Sequence, residues 1–335
     1  MSHRLAVIGA GAWGTALASL LAEKGARVRL WAFEPDVVAG IVATRENRRY
    51  LPGVVLPSTL EPTTSLADAV GDAEAVFFVT PSHAAAGVVA ALAPHLSAGT
   101  PVITATKGFD PATLRLMSVL LEETLPPSRG PVFALSGPSF AVEVCWRMPT
   151  AVVLAGPAGP QALALQRLLM SQVFRVYLSE DRCGVELGGA LKNVIALAVG
   201  IVDGLGFGYN TRTALITRGL AEMVRLGVAM GADPRTFAGL SGMGDLVLTC
   251  TGTLSRNRAV GVQIGQGKSL TEILAGAQTV AEGVGTAKVA RALAERHQIE
   301  MPVVREVCAV LFEGKTPRTA MSDLMERAAR SERDA

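Results

Sequence analysis

The sequence predicts an α/β fold in which a doubly wound, mostly parallel sheet is followed by an all-α domain. Over about the first 180 residues, apolar β-rich runs alternate with alanine- and leucine-rich segments of helical spacing. This alternation is typical of parallel strands joined by helical crossovers. After about residue 180 the strand-like runs cease and helical spacing continues alone. We therefore expect a domain boundary where the pattern changes.

The strands of the first domain are predicted from short apolar runs. Two of them, 75–79 and 102–105, are apolar at nearly every position, as expected of strands that helices cover on both faces. The predicted strands are Leu5–Ile8, Val28–Trp31, Ala75–Val79, Val102–Ala105, Val132–Leu135, Ala151–Leu154 and Phe174–Leu178.

The second domain is predicted to be helical because its apolar residues recur at helical spacing. The predicted helices are 183–203, 211–230, 285–297 and 303–313, with glycine-rich loops between them. The two domains are accordingly assigned to residues 1–180 and 181–325. The last residues, 326–335, are charged, and we expect them to be a disordered tail.

The composition argues against several classes of protein. Half of the 335 residues are apolar, 18% are charged and the formal net charge is +2, so the chain lacks the basic field typical of nucleic-acid binders. Cys145, Cys183, Cys250 and Cys308 form no closely spaced pair, which indicates free thiols in a reducing compartment. The four histidines show no ligand spacing, so no metal is expected.

Residues 5–22 carry no charge, and a signal peptide or a membrane span is one interpretation of them. The other interpretation is that a glycine motif inside the segment accounts for its composition. Elsewhere the longest apolar run, Val194–Val202, is too short to cross a bilayer. We expect a soluble, cytoplasmic protein with no membrane span.

The glycine motif is Gly9-Ala10-Gly11-Ala12-Trp13-Gly14, which matches G-x-G-x-x-G. It follows a predicted strand and opens a predicted helix, the context in which this motif binds a dinucleotide. Gly9 permits the tight turn, Gly11 lets the backbone approach a pyrophosphate, and Gly14 lets helix and strand pack closely. Amide groups at the start of the helix would then face the phosphates. The alternative is a glycine-rich turn that binds nothing.

An acidic residue follows the second predicted strand. Phe33 and Glu34 come just after this strand, and Glu34 lies twenty residues beyond Gly14. An acid at this distance usually accepts hydrogen bonds from the adenosine ribose and repels a 2′-phosphate. Glu34 therefore favours NAD over NADP, the alternative being a surface glutamate on a turn.

Polar residues also follow two other predicted strands. Thr106-Lys107-Gly108 comes after the strand 102–105, and Ser136-Gly137-Pro138-Ser139 comes after the strand 132–135. Ligands of open α/β sheets bind outside the carboxyl ends of the strands. Lys107 would reach a phosphate or carbonyl as a point charge, and the small residues would let a ligand approach. An exposed lysine on a ligand-free loop is the alternative.

Lys192 and Asn193 lie in the middle of an apolar helix predicted over Val185–Val202. A lysine is almost never buried without a partner or a purpose. Burial disfavours the ammonium form and turns a lysine into a useful general acid or base. The alternative is a side chain that reaches solvent along its own methylene groups.

Two further groups of polar residues follow. Asp245 and Thr249 are four residues apart, so both would lie on one face of a helix. Ser255-Arg256-Asn257 combines a hydroxyl, a guanidinium and an amide, and a guanidinium matches the oxygens of a phosphate. This run predicts a phosphate-binding site, unless it is an exposed helix start with Ser255 as its N-cap.

Taken together and in this order, these motifs resemble the bacterial-type NAD(P)-dependent glycerol-3-phosphate dehydrogenase family. The resemblance extends from the glycine loop to about residue 320, and several of its segments are long and specific. The segments are GAGAWGTALA (9–18), ENRRYLPGV (46–54), TKG (106–108), LSGPSFAVEV (135–144), GVELGGALKNVIALAVGIVDGLGFG (184–208), ALITRGLAEM (214–223), GMGDLVLTCT (242–251), SRNRAVG (255–261) and VAEGVGT (280–286).

The resemblance implies an N-terminal Rossmann-type domain, a helical substrate domain and the reduction of dihydroxyacetone phosphate to sn-glycerol 3-phosphate for phospholipid synthesis. It implies Lys192 as the general acid, with Lys107, Asp245 and Thr249 beside the reacting end. The substrate would also contact Gly137, Ser139, Asn193, Ser255, Arg256 and Asn257. The implied cofactor contacts, besides the glycine turn with Ala12 and Trp13, are Phe33, Glu34, Tyr50, Lys107, Ala141, Arg256, Val280 and Glu282.

Two features depart from the family pattern. Many members carry basic residues after the second strand, where this chain has Ala32-Phe33-Glu34, so we expect NADH to serve at least as well as NADPH. Ala12 stands where serine is common, but a backbone contact would serve in its place.

The alternative hypotheses are a β-hydroxy acid or ketopantoate-type dehydrogenase and a non-catalytic NAD-binding regulator. The apolar segment 214–230 would suit a homodimer interface.

Overall fold

The computed structural model describes residues 2–275, 281–329 and 331–332. The chain divides into two compact units. The first unit comprises Met1–Asp110 and Arg115–Arg182, and the second comprises Pro111–Leu114 and Cys183–Ala335. The division thus falls between Arg182 and Cys183, where strand-like sequence gives way to helix.

The first unit is built on a sheet of the strands β1 Arg4–Ile8, β2 Arg27–Trp31, β3 Leu60–Thr63, β4 Ala75–Phe78, β5 Val102–Thr104, β6 Val132–Ser136, β7 Thr150–Ala155 and β8 Phe174–Ser179. Their order in the sheet is β3-β2-β1-β4-β5-β6-β7-β8. Neighbouring strands are parallel except β6 and β7, which are antiparallel. The predicted doubly wound, mostly parallel α/β fold is confirmed.

The strand β3 was not among the predicted strands. It pairs with β2 at the edge of the sheet, in register from Val28 opposite Leu60 to Trp31 opposite Thr63. Its sequence, LEPT, contains a proline and little apolar surface, both of which are tolerated at a sheet edge but argue against a central strand. The local pattern therefore gave no strand signal at this position.

Helices cover both faces of this sheet. Consecutive side chains such as Phe77 and Phe78 are both fully buried, and they belong to different apolar clusters. Since successive residues of a strand point to opposite faces, both faces of β4 must be covered. This explains the continuous apolar run at 75–79. The helices are α1 Ala12–Glu23, α2 Pro35–Thr44, α3 Leu66–Val70, α4 Ala85–Leu92, α5 Met117–Thr124, α6 Ala141–Cys145 and α7 Pro160–Leu169.

The described residues of the second unit form helices joined by loops and no β-strand, as predicted. The helices are α8 Arg182–Gly204, α9 Tyr209–Ala229, α10 Asp245–Thr251, α11 Arg256–Gly265, α12 Leu270–Ala275, α13 Glu282–His297, α14 Pro302–Phe312 and α15 Pro317–Met325. Four of them, α10, α11, α12 and α15, were not predicted, because each has only six to ten residues and so shows little helical periodicity. In the predicted tail, Arg327 forms an ion pair with Glu300 at 3.1 Å.

The longest helix, α8, is also the most deeply buried. By length and composition it would be able to cross a membrane, and its apolar window is completely buried within the protein. Burial on all sides is the property of a core helix. Every polar side chain in its middle, Lys192 included, therefore needs partners inside the protein.

Candidate active site

The glycine turn in the first unit is fixed by close packing at two of its three glycines. Gly9 has a φ of +119°, and a Cβ there would lie 2.7 Å from the carbonyl oxygen of Val79. A Cβ on Gly14 would overlap the carbonyl group of Gly9. At Gly11, by contrast, an added Cβ meets no atom within 4 Å. Gly9 and Gly14 are thus required by the fold itself, whereas Gly11 borders open space that a ligand can approach.

A buried asparagine holds this turn in place. Asn47 donates hydrogen bonds from Nδ2 to the carbonyl oxygen of Ala10 and to Thr15 Oγ1, each at 2.8 Å. The segment 46–54 is thereby tied to the start of α1. Sequence reasoning did not single out Asn47, although it lies in one of the segments that carried the family resemblance.

Four buried polar side-chain atoms in the first unit have no hydrogen-bond partner within the described chain: Trp13 Nε1, Thr80 Oγ1, Ser136 Oγ and Arg129 Nε. Trp13 lies in the first turn of α1, Thr80 follows β4, and Ser136 ends β6, whereas Arg129 precedes β6. The first three thus lie at carboxyl ends of parallel strands, where ligands of such sheets bind. Buried polar groups are rarely left unpaired, so their position indicates that a ligand satisfies them. These groups and the open space at Gly11 fit a dinucleotide.

Glu34 is held by the hydroxyl group of a tyrosine. Tyr50 Oη donates a hydrogen bond to Glu34 Oε1 at 2.7 Å. Burial, followed by the interaction with Glu34, raises the pKa of Tyr50 to about 12, so the phenol stays a donor. The Arg49 guanidinium lies 5.2 Å from the centre of the Tyr50 ring. Phe33 is exposed, and its ring meets that of Trp31 edge to face.

The predicted substrate residues of the first unit converge on one carbonyl group. Lys107 Nζ and Ser139 Oγ both donate hydrogen bonds to the Gly137 carbonyl oxygen, at 3.2 and 3.0 Å. Gly137 has a φ of +143°, and a Cβ there would lie 2.9 Å from the Cα of Val152. Ala141 begins α6 just beyond this turn and is half-buried. The turn thus brings together a cation and a hydroxyl group.

In the second unit the buried lysine has partners. Lys192 lies in α8, and its ammonium group forms an ion pair with Asp245 and donates to Thr249 Oγ1 at 2.9 Å. Thr249 in turn donates to the Asp245 carbonyl oxygen at 2.6 Å, which leaves its lone pairs to Lys192. The three residues are 5%, 1% and 4% exposed. A π-helical turn, Leu240–Gly244, precedes Asp245, and such turns are frequent at functional sites.

A second buried contact joins α8 to α11 and α13. Asn257 Nδ2 donates to Asn193 Oδ1 at 2.9 Å, and the backbone amide of Gly283 donates to Asn257 Oδ1 at 2.9 Å. A Cβ on Gly283 would lie 2.7 Å from the carbonyl oxygen of Asn193. Asn193 is the residue after Lys192, so this contact fixes the region next to the lysine. Gly283 was not predicted as a site residue.

For Ser255 the sequence left two interpretations open, a residue of a phosphate-binding site or the N-cap of an exposed helix start. Ser255 Oγ accepts a hydrogen bond from the backbone amide of Arg258 at 3.2 Å, which makes it the N-cap, but it is buried rather than exposed. Arg256 is exposed and Asn257 is buried. Glu282 begins α13 and is half-buried, whereas Val280 lies outside the described residues.

Both units match models of one family. The model described as NAD-dependent glycerol-3-phosphate dehydrogenase N-terminus matches residues 4–160, and that described as the C-terminus matches residues 181–322. A curated relative from Geobacter sulfurreducens, named glycerol-3-phosphate dehydrogenase, NAD(P)+, is 53% identical over 334 residues, which cover 99% of this chain and 100% of the relative.

Solved structures support the same relationship. Glycerol-3-phosphate dehydrogenase from Coxiella burnetii superposes with a TM-score of 0.94 at 41% identity, over 97% of this chain and 99% of that one. A ketopantoate reductase from Ralstonia eutropha superposes with a TM-score of 0.61 at 16% identity, over 96% of this chain and 100% of that one. The second likeness concerns the fold alone.

Proposed function

The chain belongs to the NAD-dependent glycerol-3-phosphate dehydrogenase family, and from this premise we propose that it reversibly reduces dihydroxyacetone phosphate to sn-glycerol 3-phosphate with NAD(P)H. The family expected from the sequence motifs is confirmed. The observation that carries the proposed chemistry is the buried group of Lys192, Asp245 and Thr249. The ketopantoate reductase of known structure resembles this chain in fold alone, and a role as a non-catalytic regulator would not explain the buried ammonium group.

The first unit would hold the cofactor. The dinucleotide would lie against the glycine turn, with Gly11 bordering its pyrophosphate and the unpaired donor of Trp13 facing it. Tyr50 and Ala141 are further cofactor contacts of the first unit in this proposal. The cofactor roles that the family resemblance gives to Arg256, Val280 and Glu282 stay predictions. When bound, the reduced nicotinamide supplies the hydride. The proposed hydride and proton transfers require no metal.

Lys192 is the proposed proton donor. As negative charge grows on the ketone oxygen, its ammonium group donates a proton to that oxygen. Asp245 holds the ammonium group in place and stabilises its charge, and Thr249 orients it. In the reverse reaction the neutral amine accepts the proton from the alcohol, and Asp245 stabilises the ammonium ion that forms.

The substrate phosphate would bind at the start of α11. Arg256 supplies a fork of donors that matches phosphate oxygens, and Asn257 adds an amide. The hydroxyl oxygen of Ser255 accepts from a backbone amide, which leaves its hydrogen to donate to the phosphate. Lys107, Gly137 and Ser139 are the substrate contacts that the family resemblance assigns to the first unit, and Asn193 is one that it assigns to the second. Binding the phosphate group contributes energy that is used at the reacting carbon.

Glu34 sets the proposed cofactor preference. Its carboxylate, held by Tyr50, would accept hydrogen bonds from the ribose hydroxyls and repel a 2′-phosphate. NADH should therefore be used at least as well as NADPH. Phe33, which is exposed beside Glu34, would contact the adenine ring in this proposal.

We also propose that the enzyme is soluble and cytoplasmic, since its candidate membrane helix is completely buried and its described cysteines are free thiols. The homodimer stays a prediction. In the segment 214–230 that would favour it, Leu215, Met223 and Leu226 are buried inside the second unit, whereas Val228 is half-exposed. Gel filtration of the purified chain measures its oligomeric state.

The first experiment measures the loss of NADH or NADPH absorbance when dihydroxyacetone phosphate is added. We expect turnover by the wild type and a decrease in kcat of about 100-fold or more in Lys192→Ala. The matched control is Lys268→Ala, an exposed lysine of the second unit that donates to Gln263 Oε1 at 3.2 Å, and it should be fully active. Folded wild type that is inactive with both cofactors would refute the proposal.

A further inference from the structure

Near the end of α8, a buried carboxylate is shared by two arginines. Arg212 donates to Asp203 Oδ1 from Nε at 3.0 Å and from Nη2 at 2.7 Å. Arg258 donates to Asp203 Oδ2 from Nε at 2.8 Å, with Nη2 at 2.7 Å from the same oxygen. The Asp203 side chain is only 7% exposed. Each carboxylate oxygen is thus occupied by one guanidinium group, a geometry that fixes both arginines.

The three residues come from three helices: α8, α9 and α11. Two of these helices touch through their backbones. A Cβ on Gly200 of α8 would lie 2.9 Å from the Cα of Gly261 of α11, and the converse distance is also 2.9 Å. With no side chains between the backbones, a small movement of α11 would produce a clash. The ion pair between Asp203 and Arg258 lies beside this contact and sets how α11 is rotated about its axis.

The rotation of α11 matters because of the order of residues in its first turn. Arg256 and Arg258 are two positions apart, which places their side chains about 200° from each other around the helix. Arg258 points inward to Asp203, whereas Arg256 is exposed. Asn257, between them, pairs with Asn193. Holding Arg258 therefore determines where Arg256 and Asn257 point.

We infer that Asp203 is a positioning residue for the phosphate group of the substrate. It acts through Arg258, which fixes the first turn of α11, so that Ser255, Arg256 and Asn257 meet a phosphomonoester in one arrangement. This inference rests on the proposed function, because that function places the phosphate at α11. A purely structural role would be different: its loss would affect all substrates equally.

The test is Asp203→Asn, which keeps the shape of the side chain and removes its charge. The values of kcat/KM are measured for dihydroxyacetone phosphate and for dihydroxyacetone, which lacks the phosphate. We expect kcat/KM for the phosphorylated substrate to fall about tenfold or more and that for dihydroxyacetone to stay unchanged. The matched control is Glu306→Gln, which removes a carboxylate of 6% exposure that pairs with Lys315. Its ratio of the two values should equal that of the wild type.

Equal decreases for both substrates in Asp203→Asn would overturn the inference. If this variant does not fold, Arg258→Lys decides, because lysine keeps the charge but loses the fork of donors. In Arg258→Lys, kcat/KM should again fall for dihydroxyacetone phosphate but not for dihydroxyacetone, and equal decreases for both substrates would contradict the inference.

If turnover of dihydroxyacetone is below detection, the inhibition constant of inorganic phosphate is measured in place of that turnover. In Asp203→Asn this inhibition constant should rise together with the KM for dihydroxyacetone phosphate, and by more than the KM for NADH, and an unchanged inhibition constant would refute the inference. An inactive wild type would instead refute the proposed function.

Discussion

Lys192 and Asp245 form an ion pair whose side chains are only 7% and 1% exposed. Removing one partner of a buried pair leaves an uncompensated charge, which is far more costly than losing an exposed pair. The carboxylate is therefore what allows an ammonium group to persist inside an apolar helix. Since the proposed reaction needs that ammonium group as a proton donor, stability and catalysis depend on the same contact.

Asp245→Asn should lower kcat for ketone reduction by about 100-fold at neutral pH. The amide keeps the shape of the side chain but no longer stabilises the Lys192 ammonium group, so the neutral amine is favoured. The measurement is kcat for the reduction of dihydroxyacetone phosphate at saturating substrate and cofactor. Asp323→Asn, which removes a half-exposed partner of Lys315, is the control and should keep the wild-type kcat. An unchanged kcat in folded Asp245→Asn would contradict the assigned role.

Glu34→Gln should shift cofactor preference toward NADPH. The amide cannot repel a 2′-phosphate, and it accepts hydrogen bonds from the ribose less strongly than a carboxylate does. We expect the ratio of kcat/KM for NADPH to that for NADH to rise about tenfold, equivalent to about 1.4 kcal/mol. Glu74→Gln, at the amino end of β4 and paired with His3, should leave the ratio unchanged. A ratio equal to that of the wild type in Glu34→Gln would show that Glu34 does not select the cofactor.

Gly283→Ala should weaken substrate binding. Its Cβ would lie 2.7 Å from the Asn193 carbonyl oxygen and 2.8 Å from Asn257 Oδ1, so the contact between the two asparagines must open. We expect KM for dihydroxyacetone phosphate to rise about tenfold, measured by initial rates. Gly285→Ala, in the same helix, meets no atom within 4 Å and is the matched control. It should bind substrate normally and be slightly more stable, as alanine favours helix. Equal KM values for the two variants would argue against this prediction.

A buried glutamate should make the stability of the second unit depend on pH. Glu222 is 1% exposed and accepts hydrogen bonds from the amides of Val303 and Val304, at 2.6 and 3.2 Å. Burial raises its pKa from 4.5 to about 7, although these hydrogen bonds and the charges of Arg225 and Arg327 act in the opposite direction. Between these values the unfolded chain has lost the proton that the folded chain retains. The stabilisation is therefore complete below pH 4.5 and is lost as pH rises through about 7.

Glu222→Gln removes this titration and is the test. The Tm of the wild type minus the Tm of Glu222→Gln should decrease between about pH 5 and pH 8 and should then stay constant. Glu272→Gln is the control. Hydrogen bonds from Ser269 lower the pKa of exposed Glu272. The Tm of the wild type minus the Tm of Glu272→Gln should therefore change little with pH, and in the opposite direction. A difference between wild type and Glu222→Gln that does not vary with pH would refute the assignment.

The sequence by itself determined the features that depend on neighbouring residues. The strand, glycine turn and helix at the start of the chain are adjacent along it, so their spacing was sufficient to predict a dinucleotide site. Continuous apolar runs such as 75–79 indicated a sheet covered on both faces, which the burial of Phe77 and Phe78 explains. Lys192 was recognised because a charged residue is unexpected in the middle of a helix whose other residues are almost all apolar.

Only the tertiary structure decided which distant residues meet. Asp203 and Arg258 are 55 positions apart, Asn47 lies 37 positions from Ala10, and nothing in the local pattern at either end indicates a partner. The strand β3 escaped prediction for a related reason, since only its pairing with β2 makes it a strand. Propensity and periodicity arise from contacts between near neighbours in the chain. Long-range packing instead produces the ion pairs, the close glycine contacts and the edge strand. These contacts leave no local pattern in a single sequence.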